Sequence, residues 1–210
     1  MIQSVLLKND VYWLGVLDPN LDVFDIIMET KYGTTYNSYL VNTTEGAILV
    51  ETVKEKFFDS YLQKIEEAIG DLSQIKYIIT NHTEPDHAGS IGRLVKLIPG
   101  LTVIGSKTAI TYLKDILNIS FNYLTADSLK TFTLGEKTFD LSQLHSYTGQ
   151  TQCTLTSVQI TCYSHVIPSD PTIVQNTELS YRKCLQVKRK LSKMLYFTTT
   201  QPSSHHLSHT

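Results

Sequence analysis

The chain has 210 residues, room for one domain with a proper core and scarcely for two. A formal charge of −2 gives no electrostatic footprint for nucleic acid or an anionic membrane, and no apolar run approaches the roughly 18 residues of a membrane span. Cys153, Cys162 and Cys184 are an odd set without CxxC spacing, which argues against a disulfide framework or a zinc ribbon.

The N-terminal MIQSVLLKNDVYW has neither a basic start nor a small-residue cleavage site, so it reads as no signal peptide and points to the cytoplasm. Residues 11–16 (VYWLGV) and 36–41 have strand composition, and GAILV at 46–50 follows a turn around 42–45, giving a hairpin-rich start. Residues 55–69 predict a helix, because Phe57, Phe58, Tyr61, Leu62, Ile65, Ala68 and Ile69 recur at helical spacing and Gly70 stands where a C-terminal cap belongs. IKYIIT at 75–80 predicts a short buried strand. A helix is expected over 87–97, stopped by Pro99-Gly100. A strand over 101–105 follows, then a helix over 107–117 with Ile110, Leu113, Ile116 and Leu117 inward. Strands near 121–124 and 137–139 complete the readable part. Strands first, then helix and strand in alternation, predict an α/β layered fold with helices packed on a sheet.

Composition shifts near residue 140. The first 140 residues hold 18 of the 20 acids, 12 of the 18 lysines and arginines and nine of the ten glycines. The last 70 hold all three cysteines, 21 serines and threonines, five of the seven histidines and only two acids, Asp170 and Glu178. Formal charge is therefore near −6 in front and +4 behind, which predicts two segments of different origin, 1–140 and 141–210. After about 141 only strand-like stretches such as 157–163 emerge, and the terminal TTTQPSSHHLSHT reads as disordered.

The chemistry concentrates in NHTEPDHAGS at 81–90. His82, Glu84, Asp86 and His87 put two imidazoles and two carboxylates within six residues, after an apolar strand and before a helix. In open α/β sheets ligands bind at the carboxyl ends of strands. Alternation along an extended loop places His82, Glu84 and Asp86 on one side and His87 elsewhere, a geometry suited to two neighbouring metal ions. Pro85 biases Glu84 toward an extended backbone. Nitrogen and carboxylate donors without thiolate suit iron, manganese or zinc. The competing reading is a capping turn with Thr83 or Asp86 as N-cap. No G-x-S-x-G elbow surrounds Ser90, and the Gly89–Gly92 segment has neither GxGxxG nor a P-loop.

HxExDH at 82–87 resembles the first ligand block of flavodiiron proteins, also called A-type flavoproteins; metallo-β-lactamases have HxHxDH there. The likeness extends over roughly residues 8–140. It includes DVYWLGVLDPNLDVFDIIMETKYGTTYNSYLV at 10–41 with GTTYN at 33–37, VETVKEKFF at 50–58, and IKYIITNHTEPDHAGSI at 75–91. Glu51 stands where the family usually has aspartate. The resemblance implies part of a metallo-β-lactamase αββα sandwich, in a family that joins this domain to a flavodoxin-like FMN domain. That family reduces O2 to water or NO to N2O at a diiron centre in the cytoplasm. Its electrons come from a donor such as rubredoxin or a flavin reductase, and pass from the FMN of a head-to-tail partner subunit. By position, His82 and Glu84 would serve one iron and Asp86 and His87 the other.

The family's remaining ligands, a histidine in a phrase like APxxHWxDT and an aspartate in a phrase like DSFG among them, have no counterpart after residue 140. His145 and His165 lie in unmatched surroundings, and the 210 residues contain no flavodoxin-like stretch. Codons permitted for residues 140–156 (DLSQLHSYTGQTQCTLT), read in a shifted frame, give F-I-S-A-P-F-I-H-W-T-D-T-M-Y-T-Y. Residues 163–171 in the same frame give F-T-C-D-S-F-G-S. Two missing phrases, in order and in one frame, predict that residues from about 141 are a frameshifted translation ending at an out-of-frame stop. Three functions compete: a flavodiiron-type oxidoreductase, a zinc metallo-hydrolase of the wider superfamily, against which Glu84 and GTTYN argue, and an inactive remnant with weak metal binding and poor solubility.

Overall fold

Seven strands form the main sheet, and its two halves follow from their connections. The structure, a computed structural model, describes residues 3–8, 10–24, 28–29, 33–81, 83–145, 152–155 and 160–163. The chain divides into units at 1–169 and 170–210, and every described residue belongs to the first. In chain order the elements are β1 (Val5–Lys8), β2 (Val11–Trp13), β3 (Val16–Asp18), β4 (Val23–Phe24), β5 (Met28–Glu29), β6 (Thr34–Tyr36), β7 (Tyr39–Thr43), β8 (Gly46–Val50), α1 (Phe58–Ile69), β9 (Ile75–Ile79), α2 (Pro85–Ala88), α3 (Ile91–Leu97), β10 (Thr102–Gly105), α4 (Lys107–Leu117), β11 (Asn122–Thr125), β12 (Thr131–Leu134), β13 (Lys137–Asp140), β14 (Gln152–Leu155) and β15 (Ile160–Tyr163). The main sheet runs β1-β2-β7-β8-β9-β10-β11. Short turns join the antiparallel pairs β1–β2 and β7–β8, β2 and β7 pair antiparallel across the excursion that carries β3 to β6, and helical crossovers make β8 through β11 parallel. A second, antiparallel sheet has the order β12-β13-β14-β15.

The period-2 pattern of β8 shows how the layers stack. Ile48 and Val50 face one core with Val11, Val41, Ile79 and Ile104, closed from the other side by Leu134, Phe139, Leu141 and Leu144 of the second sheet and its flanks. Ala47 and Leu49 face the opposite core, closed by Phe58, Tyr61 and Ile65 of α1 and by Leu94 and Ile98. Helices, main sheet and second sheet are thus three successive layers, the α/β sandwich the sequence implied. Glu136, in the β12–β13 turn, ties the second sheet to the β7–β8 turn by accepting from the amide (3.0 Å) and hydroxyl (2.9 Å) of Thr44.

Several elements form where expected. The strand at 46–50 and the helix at 107–117 keep their limits, the latter because the Ser106 side chain caps the Ala109 amide and Asn118 turns left-handed at its end. The helix at 55–69 begins with a 3-10 turn and ends at Gly70, φ +78°. Others are corrected. The strand at 11–16 breaks at Leu14-Gly15, where a Cβ on Gly15 would lie 2.5 Å from the Tyr36 carbonyl, and the expected 36–41 strand falls into β6 and β7. Ile116 is 64% exposed; at 100° per residue it lies about 120° around α4 from Ile110, off the buried stripe of Ile110 and Leu113. The expected 87–97 helix is two pieces, α2 and α3, parted at Gly89-Ser90. After 141 the structure adds β14, and β15 occupies the end of the 157–163 stretch. His165 and the terminal segment lie outside the described residues.

Candidate metal centre

The loops that leave the carboxyl ends of β8 and β9 meet α2, which puts the acid-rich motif where a parallel sheet opens to ligands. Pro85 at the first helical position sets the geometry. It holds Glu84 extended (φ −67°, ψ 152°), as expected, and starts a helical turn at once. The extended alternation predicted through Asp86 therefore stops at Glu84. Asp86 and His87 are helical neighbours, and they converge rather than diverge: His87 Nε2 lies 3.2 Å from Asp86 Oδ2. The capping alternative is not what forms, because Glu84 occupies the N-cap and its side chain makes no cap hydrogen bond. Glu84 is exposed, while Asp86 and His87 are buried. His82 lies outside the described residues.

Glu51 is the residue the sequence reading left without a role. It follows β8, is fully buried, and adopts φ +60°. That conformation costs a non-glycine residue about 1–3 kcal/mol, so its surroundings must enforce it. They do. Its amide donates to the Ile79 carbonyl (2.9 Å). Its carbonyl accepts from the Ser38 hydroxyl (2.9 Å), which also pairs with the Tyr61 hydroxyl at 2.7 Å. One carboxylate oxygen, Oε1, accepts from the Asn81 amide, and Oε2 stands 3.3 Å from His87 Nδ1. The next residues hold α2 in place: Thr52 donates to the His87 carbonyl through its amide (2.9 Å) and its hydroxyl, and the Ser90 hydroxyl donates to the Val53 carbonyl (2.7 Å). Gly89 permits this closeness, since a Cβ there would lie 2.4 Å from the Pro85 carbonyl and 2.9 Å from the Glu55 amide.

The electrostatics match a cation site. Burial opposes the charged His87 ring, but hydrogen bonds to Asp86 and Glu51, and their negative charge, outweigh it and raise its pKa to about 9. Two carboxylates thus concentrate negative potential on one imidazole. Tyr36 lies nearby; burial first, then the charge and hydrogen bond of Asp18, and then the charge of Asp86, push its phenol above the ordinary range. Its hydroxyl donates to Asp18 Oδ2 at 3.1 Å, and Lys56 holds the same oxygen at 2.6 Å.

Asp86 and His87 fit two donors of a single ion. Donors each about 2.1 Å from one ion, at octahedral to tetrahedral angles, stand roughly 3.0–3.4 Å apart. The 3.2 Å between Asp86 Oδ2 and His87 Nε2 falls inside that interval. The far ring nitrogen faces a carboxylate, the usual outer partner of a metal-binding histidine. Among the described residues no three His, Cys, Asp or Glu side chains are grouped so as to hold a metal ion.

A family model described as ODP family beta lactamase matches residues 34–146, more than half of the chain. Flavo-diiron protein FprA2 of Clostridium acetobutylicum is 46% identical over 115 residues, 55% of this chain and 28% of that protein. A nitric oxide reductase of Moorella thermoacetica is 34% identical over 139 residues, 65% of this chain and 34% of that protein. The crystal structure of the flavodiiron protein from Giardia intestinalis superposes with a TM-score of 0.65 at 26% identity, covering 73% of this chain and 38% of that one. The chain spans about a third of these relatives or less at the sequence level. Among the described residues no helix is long and apolar enough to cross a membrane. The chain belongs to the ODP family of beta-lactamase-fold proteins, in its flavodiiron branch.

Proposed function

We propose that this chain carries the first metal-ligand block of a diiron oxidoreductase that reduces O2 to water or NO to N2O, and that as written it is an impaired form. The observation that carries the reading is the buried Asp86–His87 pair, spaced as two donors of one ion, at the mouth of a parallel sheet in a family whose relatives include a nitric oxide reductase. Asp86 and His87 would hold one iron, and His82 and Glu84 the other. Bound ferrous ions would supply the electrons and the open coordination positions that a diatomic needs. The chain's own residues bring the donors to one place, exclude water from His87, and keep its ring oriented. FMN, a rubredoxin-type or flavin-reductase donor, a head-to-tail second copy and a cytoplasmic setting complete the reading by family likeness.

Residues 1–140 are the family's part of this proposal, and 141–210 are a stretch read in a shifted frame. The family match stops at residue 146, beside the change in composition, which supports that division. Loss of the later ligands predicts weak iron binding, since one loop cannot close two sites.

The test loads the chain with iron anaerobically and follows O2 and NO consumption with a reduced flavin donor. It is run beside the product of a gene with one base restored near codon 141. The restored product is expected to turn over at least one gas and the present chain to be near background. Zinc-dependent ester or lactam hydrolysis by the restored product, with no gas consumed, would replace this reading with the hydrolase one.

A further inference from the structure

The last two strands of the second sheet place two cysteines side by side. β14 and β15 run antiparallel, and their register sets Cys153 directly opposite Cys162, between the pairs Gln152–Tyr163 and Thr154–Thr161. Two of the chain's three cysteines thus stand across from each other on one hairpin, while Cys184 lies outside the described residues. No spacing along the sequence announces this; strand register creates it. Register also fixes the face. Leu155 is opposite Phe139, so by alternation Cys153 and Cys162 share the sheet face of Phe139, Leu155 and Ile160.

Directly opposed residues of antiparallel strands have Cα atoms roughly 5.5 or 4.5 Å apart, according to whether the pair is hydrogen-bonded. Both separations lie inside the about 4.4–6.8 Å that a disulfide spans. Opposed Cβ atoms, at roughly 4.5–5.5 Å, are slightly wider than the about 3.5–4.5 Å of a disulfide, so closure draws the strands together and leaves a bond that is easily reduced. Among the described residues β15 is the outermost strand of its sheet. An edge hairpin can make that adjustment, and it opens to small reagents before the core does.

We propose that Cys153 and Cys162 form a reversible redox site, a dithiol that closes to one disulfide by exchange with a low-molecular-weight disulfide. One cysteine thiolate attacks the reagent, a mixed disulfide forms and one small thiolate leaves. The opposed cysteine then attacks the mixed disulfide, the bond between the two cysteine sulfurs forms and the second small thiolate leaves. The two cysteines give up two electrons and two protons, and the reagent takes them up as two thiols. In a reducing compartment such a pair senses redox state rather than stapling the fold. The inference is independent of the metal-binding reading and concerns the chain as written, residues 141–210 included.

The experiment uses the full 210-residue chain carrying Cys184→Ser, equilibrated with oxidised and reduced glutathione, quenched in acid, alkylated and mapped by mass spectrometry. The expected product is a monomer with the peptides of Cys153 and Cys162 linked, both thiols being lost together. Cys153→Ser and Cys162→Ser, each added to Cys184→Ser, are expected to stop at the mixed disulfide with glutathione. That species should be at least about tenfold less abundant when both cysteines are present, because the second thiol is delivered intramolecularly. The difference should shrink in urea, where the register is lost. Mixed disulfides at both positions as abundant as in the single variants, dimers linked between chains, no reaction of either thiol short of unfolding, or an undiminished difference in urea would each overturn the proposal. In the chain with all three cysteines, a disulfide from Cys184 to either of the others in place of the expected one would also overturn it. If a serine variant does not fold, the disulfide map of the three-cysteine chain decides.

Discussion

Phe139 tests whether the layered fold closes on both faces of the main sheet. It is fully buried in β13, one residue before the composition changes, and it packs into the core of Val11, Val41, Ile48, Val50, Ile79 and Ile104. Truncating it to alanine removes roughly 150 Å² of buried apolar surface, worth about 4 kcal/mol at 25 cal/mol per Å². Cavity measurements on buried aromatics bracket the same figure, at about 3–5 kcal/mol. That is close to a thousandfold change in the folding equilibrium. Urea unfolding of the full chain, followed by fluorescence of the single tryptophan, Trp13, reads it directly. Phe58→Ala, on the helix-covered face, is the control and should cost a similar amount. A loss under about 1 kcal/mol for Phe139→Ala, beside the full loss for Phe58→Ala, would show that the second sheet does not pack and would refute the three-layer account.

Glu136 has its pKa lowered to about 2, chiefly by the Thr44 amide hydrogen bond, so its contribution to stability is present above the ordinary carboxylate range and lost as pH falls from about 4.5 to 2. Urea midpoints at pH 5 and pH 3 should fall further apart for wild type than for Glu136→Gln. Lys64 is shifted the other way: burial lowers it to about 8, so the folded chain releases its proton first and stability rises as pH climbs from 8 toward 10.5. Lys64→Met should flatten that rise between pH 7.5 and 9.5, within the same window. Tyr61→Phe removes a hydroxyl that pairs with Ser38 beneath the Glu51 carbonyl and should cost about 1–3 kcal/mol in the same unfolding assay.

What the sequence disclosed and what it hid divide along physical lines. The 107–117 helix was readable because its stops are local: a serine cap before it and a left-handed asparagine after it. GAILV was readable because β8 is buried on both faces of the sheet and so is apolar throughout. The motif at 82–87 was visible as chemistry, but its shape was misjudged. Pro85 fixes its own φ and constrains Glu84, but proline also favours the first position of a helix, and that turn is what joins Asp86 to His87. Glu51 was noted only as a departure from aspartate. Its partners, Asn81 and His87, lie 30 and 36 residues further on, and no local pattern links them. Its positive φ is likewise imposed by tertiary contacts with Ser38, Tyr61 and Ile79, which no propensity scale contains. The short β12 strand, TFTL, gave too brief an alternation to stand out beside the turn that follows it.

Ferrous-ion binding to the full chain, measured by anaerobic titration beside Asp86→Asn and His87→Gln, tests the central claim most directly. Wild type is expected to bind measurably, though weakly, and each substitution to lower the affinity at least about tenfold, because the two side chains act as donors to one ion. Equal binding by all three proteins would contradict the account.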